Sequence, residues 1–69
     1  MQLKLVYFDD YEFSPKDKPD KKYRIYVFLD PKTLQFFKGT DLNGTFEKFK
    51  IYDCTMDYKS GKLKVVSVS

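Results

Sequence analysis

The segment Tyr-Arg-Ile-Tyr-Val-Phe-Leu-Asp at residues 23–30 alternates its side chains with a period of two more cleanly than any other stretch of the chain. In a strand, Tyr23, Ile25, Val27 and Leu29 share one face, and Arg24, Tyr26 and Phe28 share the other. The first set reads as a core stripe. A solvated face ordinarily carries polar groups, yet the second set follows a guanidinium with two aromatic rings. Either both faces are buried or the second one binds a ligand.

The amount of core available is small. A chain of 69 residues makes one domain, and at this size only roughly 60% of the unfolded surface is removed from water, so a few large side chains must fill the interior. Six Tyr and seven Phe supply them, and the low Gly and Pro content (three of each) argues against disorder and fibrous repeats. Cys54 is alone and there is no His, which excludes an internal disulfide and a Cys/His zinc site. No apolar run approaches the roughly 20 residues that span a bilayer, and Met1–Leu5 lacks signal-peptide character. The expectation is a soluble protein of the reducing cytoplasm.

Four further strands are predicted around the central one. The first covers Gln2 to Phe8, apolar on one face early and on both faces later, as in a bent strand shared between two halves of a barrel, with Tyr11 and Phe13 continuing it past a bulge. Ser14 to Lys22 holds two prolines and no large apolar residue, so it is a charged loop. Asp30-Pro31-Lys32-Thr33 is a turn, Leu34 to Lys38 is the third strand, and Gly39 to Thr45 is a loop whose glycine spacing fits no phosphate-binding motif. Phe46 to Cys54 is the fourth strand, and Leu63 to Val68 is the last, after a turn at Lys59-Ser60-Gly61-Lys62. Five short strands in meander-type order give an all-β antiparallel barrel, OB-like or SH3-like. The long bent first strand and the sheet-face rings favour the OB type.

Catalysis finds little chemistry to use. There is no imidazole base, no partner that would activate Cys54, and the acidic cluster of Asp9, Asp10 and Glu12 reads as a solvated strand end. No enzyme activity, cofactor or metal is expected. Net charge is only +3, but it is unevenly spread, with basic excess at residues 15–24 and again from Lys48 to Lys64. Binding a single-stranded DNA or RNA requires rings for base stacking and cations along the phosphates. Arg24, Tyr26 and Phe28 provide that interleaving on the second strand, Phe37 joins them from the third, and Lys48, Lys50 and Tyr52 repeat it on the fourth. Lys21 and Lys22 add charge from the loop.

Residues 46–52 and 58–68, Phe-Glu-Lys-Phe-Lys-Ile-Tyr and Tyr-Lys-Ser-Gly-Lys-Leu-Lys-Val-Val-Ser-Val, resemble the closing part of the small gene V-type single-stranded DNA-binding proteins of filamentous phages. The resemblance covers about a third of the chain. It implies an OB-like barrel from a phage or mobile element that coats single strands without reading sequence, acts as a dimer, and uses Tyr26 and Tyr58 as aromatic contacts. Having a single Arg, this chain would leave the basic side of such a site to lysines. Two alternatives stand beside it. One is a protein-interaction module using the same aromatic face. The other is an accessory subunit or homodimer joined through the C-terminal strand or hairpin, where Val65, Val66 and Val68 suit a seam.

Overall fold

The computed structural model describes residues 1–69, which form five strands and no helix. They are β1 (Gln2–Phe13), β2 (Tyr23–Leu29), β3 (Phe36–Thr40), β4 (Ile51–Lys59) and β5 (Lys62–Val68). The strands close into a barrel in the order β1-β2-β3-β5-β4, with β4 returning to pair with β1. The expected all-β five-stranded barrel is therefore what the chain forms. Its connections differ from the expected meander. After β3 the chain crosses the barrel so that β4 lies beside β1, and β5 then returns beside β3 in a parallel seam at Gly39 and Val65. This is Greek-key order, the kind found in OB-type barrels. No helix is long and apolar enough to cross a membrane.

Two devices let so short a chain close. The first is a register shift in β1 between Tyr7 and Asp9, which leaves Phe8 without a cross-strand partner. Gln2 to Val6 pair with β4, while Val6 and Tyr7 before the shift and Asp9 to Phe13 after it pair with β2. A bulge bends and twists a strand, so one 12-residue segment serves both halves of the barrel. The second is Gly39. A Cβ there would stand 2.8 Å from the Val65 carbonyl oxygen and 2.8 Å from Leu42 Cδ1, so only glycine lets β3 approach β5 this closely. The sequence reading had put Gly39 in a loop; it lies in β3, which starts and ends two residues later than expected.

The faces of β2 are reversed relative to the sequence reading. Opposed residues point to the same side of a sheet, and Tyr7 opposes Phe28, Asp10 opposes Tyr26, and Phe28 opposes Phe37. That side is the interior. Phe28 is fully buried with Leu5, Tyr7, Cys54, Met56 and Val65, while Tyr26, Phe37 and Tyr52 pack against them. A five-stranded barrel encloses more volume than an aliphatic stripe fills, so the larger rings turn inward and Tyr23, Ile25, Val27 and Leu29 face out.

Residues 41–50 bridge the barrel as irregular chain rather than as the start of a strand, which moves β4 to Ile51. Phe49 has φ of 68°, which no strand residue can adopt. Phe46 drops inward instead, its ring centre 5.5 Å from Tyr7, 5.3 Å from Tyr26 and 5.4 Å from Tyr52. These tilted and edge-on contacts seal the barrel with one side chain. At the other end Ser60 and Gly61, with φ of 53° and 77°, make the tight β4–β5 turn expected from the sequence. Strand β5 lies between β3 and β4, so the seam expected along Val65, Val66 and Val68 has no free edge to use, and Val65 is buried.

Candidate nucleic-acid interface

Most residues singled out from the sequence have structural duties. Phe28 is core, and Tyr26, Phe37 and Tyr52 pack onto it. The Tyr52 hydroxyl also accepts a 2.8 Å hydrogen bond from the Glu47 amide, which fastens the bridging segment. Arg24 sits at the mouth of the barrel, 3.2 Å from the Asp10 carboxylate, and Asp10 in turn accepts a hydrogen bond from the Tyr7 hydroxyl. Burial, reinforced by that carboxylate, pushes the Tyr7 phenol well above its ordinary value, so the network holds Tyr7 as a donor. Arg24 is thus paired with a partly exposed carboxylate at the strand's start instead of standing unpaired beside Tyr26 on an open sheet face.

The lysines of residues 48–50 are similarly occupied. Lys48 lies 3.2 Å from Asp9 and Lys50 lies 2.6 Å from Glu47, on the bridging segment rather than on a strand face beside Tyr26. The hydrogen bond to Glu47 raises the Lys50 pKa above its ordinary value, the direction expected of a paired ammonium. Lys22 reaches Glu12 at 3.6 Å, and Lys21 is exposed in the β1–β2 loop. Tyr58 is exposed and stands opposite Leu63 on the β4–β5 hairpin. Of the aromatic candidates, it alone remains fully open to a ligand.

A different set of residues forms an open groove of about 450 Å³ on the outside of the barrel. Ile25 of β2 and Thr40 of β3 line it. Tyr11 and Phe13 rise from the end of β1 and Phe36 from the start of β3, all three exposed. Lys38, Lys62 and Lys64 complete it, from β3 and the β4–β5 hairpin, together with Leu63 and part of Phe37. The Lys38 ammonium lies 5.9 Å from the centre of the Tyr11 ring, a cation–π spacing. No acidic residue lines the groove, and none of its three lysines belongs to an ion pair.

Register explains the assembly. Tyr11 opposes Ile25, Phe13 opposes Tyr23, and Ile25 opposes Thr40, all on the outer side once the β1 bulge has shifted the alternation. The groove is flanked by the β1–β2 loop, with Lys16, Lys18, Lys21 and Lys22, and by the β4–β5 turn. Sequence reasoning did not single out Tyr11, Phe13, Phe36, Lys38, Lys62 and Lys64 as site residues. The available signal was that Tyr11 and Phe13 continue β1 beyond the bulge on the same side as Asp9, where a core stripe has no reason to extend. No protein-family model, no curated protein and no solved structure matches this chain.

Proposed function

We propose that the protein binds single-stranded nucleic acid, without reading its sequence, in the groove between β1, β2, β3 and the β4–β5 hairpin. The observation that carries this reading is the coincidence of exposed rings with unpaired cations in one groove free of carboxylates. Successive bases stack on Tyr11, Phe13 and Phe36, each stack contributing about 1 to 3 kcal/mol, while Lys38, Lys62 and Lys64 track the phosphates. The strand 2–3 face with its two flanking loops is also the surface on which OB-type barrels bind oligonucleotides. A stacking platform accepts any base, which fits the non-specific, phage-type coating role in the cytoplasm implied by the resemblance of the closing hairpin. Tyr58 extends the aromatic surface along that hairpin.

Fluorescence anisotropy of a labelled oligothymidine of about 20 nucleotides, at about 50 and 200 mM salt, tests the proposal. Binding should weaken with salt at a slope of about −0.7 per phosphate neutralised. With no Trp in the chain, the emission comes from the six Tyr, and the part of the quenching that is lost in Tyr11→Phe reports on Tyr11. Absence of binding at the lower salt with high-micromolar protein would remove the proposal and favour a protein-interaction module.

A further inference from the structure

The barrel is not closed equally along its seams. Strand β3 pairs with β2 along its whole length, from Phe36 to Thr40, but meets β5 at one position only, Gly39 with Val65. Continued backwards in the same parallel register, Phe36, Phe37 and Lys38 would face Lys62, Leu63 and Lys64. None of these is paired across the seam, and all six line the groove. The two strands therefore part on the N-terminal side of Gly39 and leave unpaired backbone edges toward one another. Phe37 and Leu63 show how far they part. Phe37 opposes the buried Phe28, and Leu63 lies two residues from the buried Val65, so both side chains belong to the inner side of the wall. Both are nevertheless reached from the outer groove.

An unpaired strand edge is a template for another extended chain, which takes up its backbone hydrogen bonds and lays alternate side chains on the two sides of the sheet. Here the two sides call for different residues. On the inner side an added strand meets Phe37 and Leu63, both half-buried against the core. On the outer side it meets Lys38, Lys62 and Lys64, none of which belongs to an ion pair. Asp57 stands opposite Lys64 on β4, but its carboxylate accepts the Tyr58 amide at 2.8 Å. The neighbouring exposed surface has no such edge. Ile51, Val6, Leu29 and Phe36 form an outward apolar row across β4, β1, β2 and β3, with the exposed Phe8 and Phe49 against it. Those four strands are paired to one another throughout the row.

We propose that the opening between β3 and β5 admits an extended segment of a partner protein in which apolar and acidic residues alternate. The segment adds as a strand, with its apolar side chains toward Phe37 and Leu63 and its carboxylates on the three lysines. Nucleic acid has neither the peptide ladder nor the alternating side chains that this opening accommodates, so the proposal goes beyond the stacking groove and does not depend on it. Both occupants need Lys38, Lys62 and Lys64. Each therefore excludes the other, and a partner carrying such a segment releases a bound single strand.

Fluorescence anisotropy of the full chain with a labelled synthetic peptide of about ten residues, alternating Glu and Val, tests the proposal. Two control peptides keep the charge and lose the strand. One has the same composition with its Glu and Val in separate blocks, and the other is the alternating peptide N-methylated at every second residue, which removes ladder donors. The alternating peptide should bind roughly tenfold or more tightly than either control, and in unlabelled form it should displace oligothymidine. Lys62→Glu, opposite Lys59 on the exposed hairpin, should weaken peptide binding at an unchanged unfolding midpoint. Equal binding of all three peptides would overturn the proposal by reducing it to charge, and so would no binding of the alternating peptide at high-micromolar protein. Oligothymidine that binds and is not displaced by the peptide would overturn it while leaving the nucleic-acid reading intact. Selective binding of the alternating peptide by a chain that ignores oligothymidine would support it and remove that reading.

Discussion

The groove and the neighbouring apolar row are both built from exposed aromatic rings on the outside of one small barrel, and they differ in what the nearby charges are doing. Around Tyr11 and Phe13 the lysines have no carboxylate partner; around Phe8 and Phe49 each lysine is already paired. An exposed ring by itself says only that apolar surface is available. The unpaired cation turns it toward a polyanion, a pull that is weaker where the lysines, as at Lys48 and Lys50, are held by carboxylates. Phe36 borders both regions, so substitutions that separate them belong at Tyr11 or Lys62 on one side and at Phe49 or Ile51 on the other.

The largest effect is expected from a residue that belongs to neither surface. Phe28→Ala should destabilise the chain by about 3 to 5 kcal/mol, because it removes a fully buried ring and leaves a cavity. A core of this size rarely supplies more than about 3 to 5 kcal/mol in total. The variant should therefore be largely unfolded at room temperature by circular dichroism, and both surfaces should disappear with it. A folded Phe28→Ala with wild-type stability and impaired oligothymidine binding would return Phe28 to the binding face and reverse the assignment made here.

Why the sequence misled at β2 is a matter of volume. Arg24 marks its own face as solvated by the ordinary rule, and Ile25, Val27 and Leu29 look like core by the same rule. Yet Arg24 stands at the strand's start, where Asp10 receives it, and the interior beyond that point is filled by rings from β1, β2 and the bridging segment. The fold class, the bulged first strand and the Ser60-Gly61 turn were legible because each has a local cause in alternation or backbone conformation. The Greek-key crossing was not legible, since it depends on Gly39 meeting Val65 and on Phe46 sealing the barrel, contacts between segments distant in the chain. Of the candidate site, the kind of chemistry was readable and its location was not. One residue of alternation moves every side chain of a strand to the opposite face.

Next in size are the stacking residues. Tyr11→Ala and Phe13→Ala should each weaken oligothymidine binding by about 1 to 3 kcal/mol, with little change in the unfolding midpoint because both rings are exposed. Phe49→Gly, measured in the same titration, should leave affinity unchanged for the isolated site. Equal losses from Tyr11→Ala and Phe49→Gly would merge the two surfaces into one and cancel the distinction drawn from their charges.

The cations separate the surfaces through salt dependence rather than through affinity alone. Replacing Lys62 and Lys64 together by Ala should lower the steepness of the log K against log salt plot by about 1.4, the amount expected for two phosphate contacts on a single strand. The plot should not change in Lys48→Ala, because Lys48 is held by Asp9 and lies off the groove. A comparable change in slope from Lys48→Ala would mean that the ion pair opens for phosphate and that the apolar row is not electrostatically closed to nucleic acid.

The smallest effect concerns that same ion pair as a contributor to stability. The Asp9 carboxyl is held below its ordinary pKa, first by the hydrogen bond from the Asp10 amide and then by Lys48. A carboxyl depressed in the folded state binds its proton more weakly there than in the unfolded chain, so its contribution to stability is present above the ordinary carboxylate value and fades as pH falls through the depressed one. Asp9 and Lys48 are both exposed, and solvent screens their attraction. Lys48→Ala should therefore lower the unfolding midpoint only slightly at neutral pH, and the difference from wild type should vanish under acid conditions where Asp9 is protonated in both. Thermal melts of the two proteins at pH 7 and at pH 2 decide the point. A large midpoint loss at pH 7 would show that the pair braces the bulge beside Phe8, and with it the apolar row, in place of merely balancing charge at its rim.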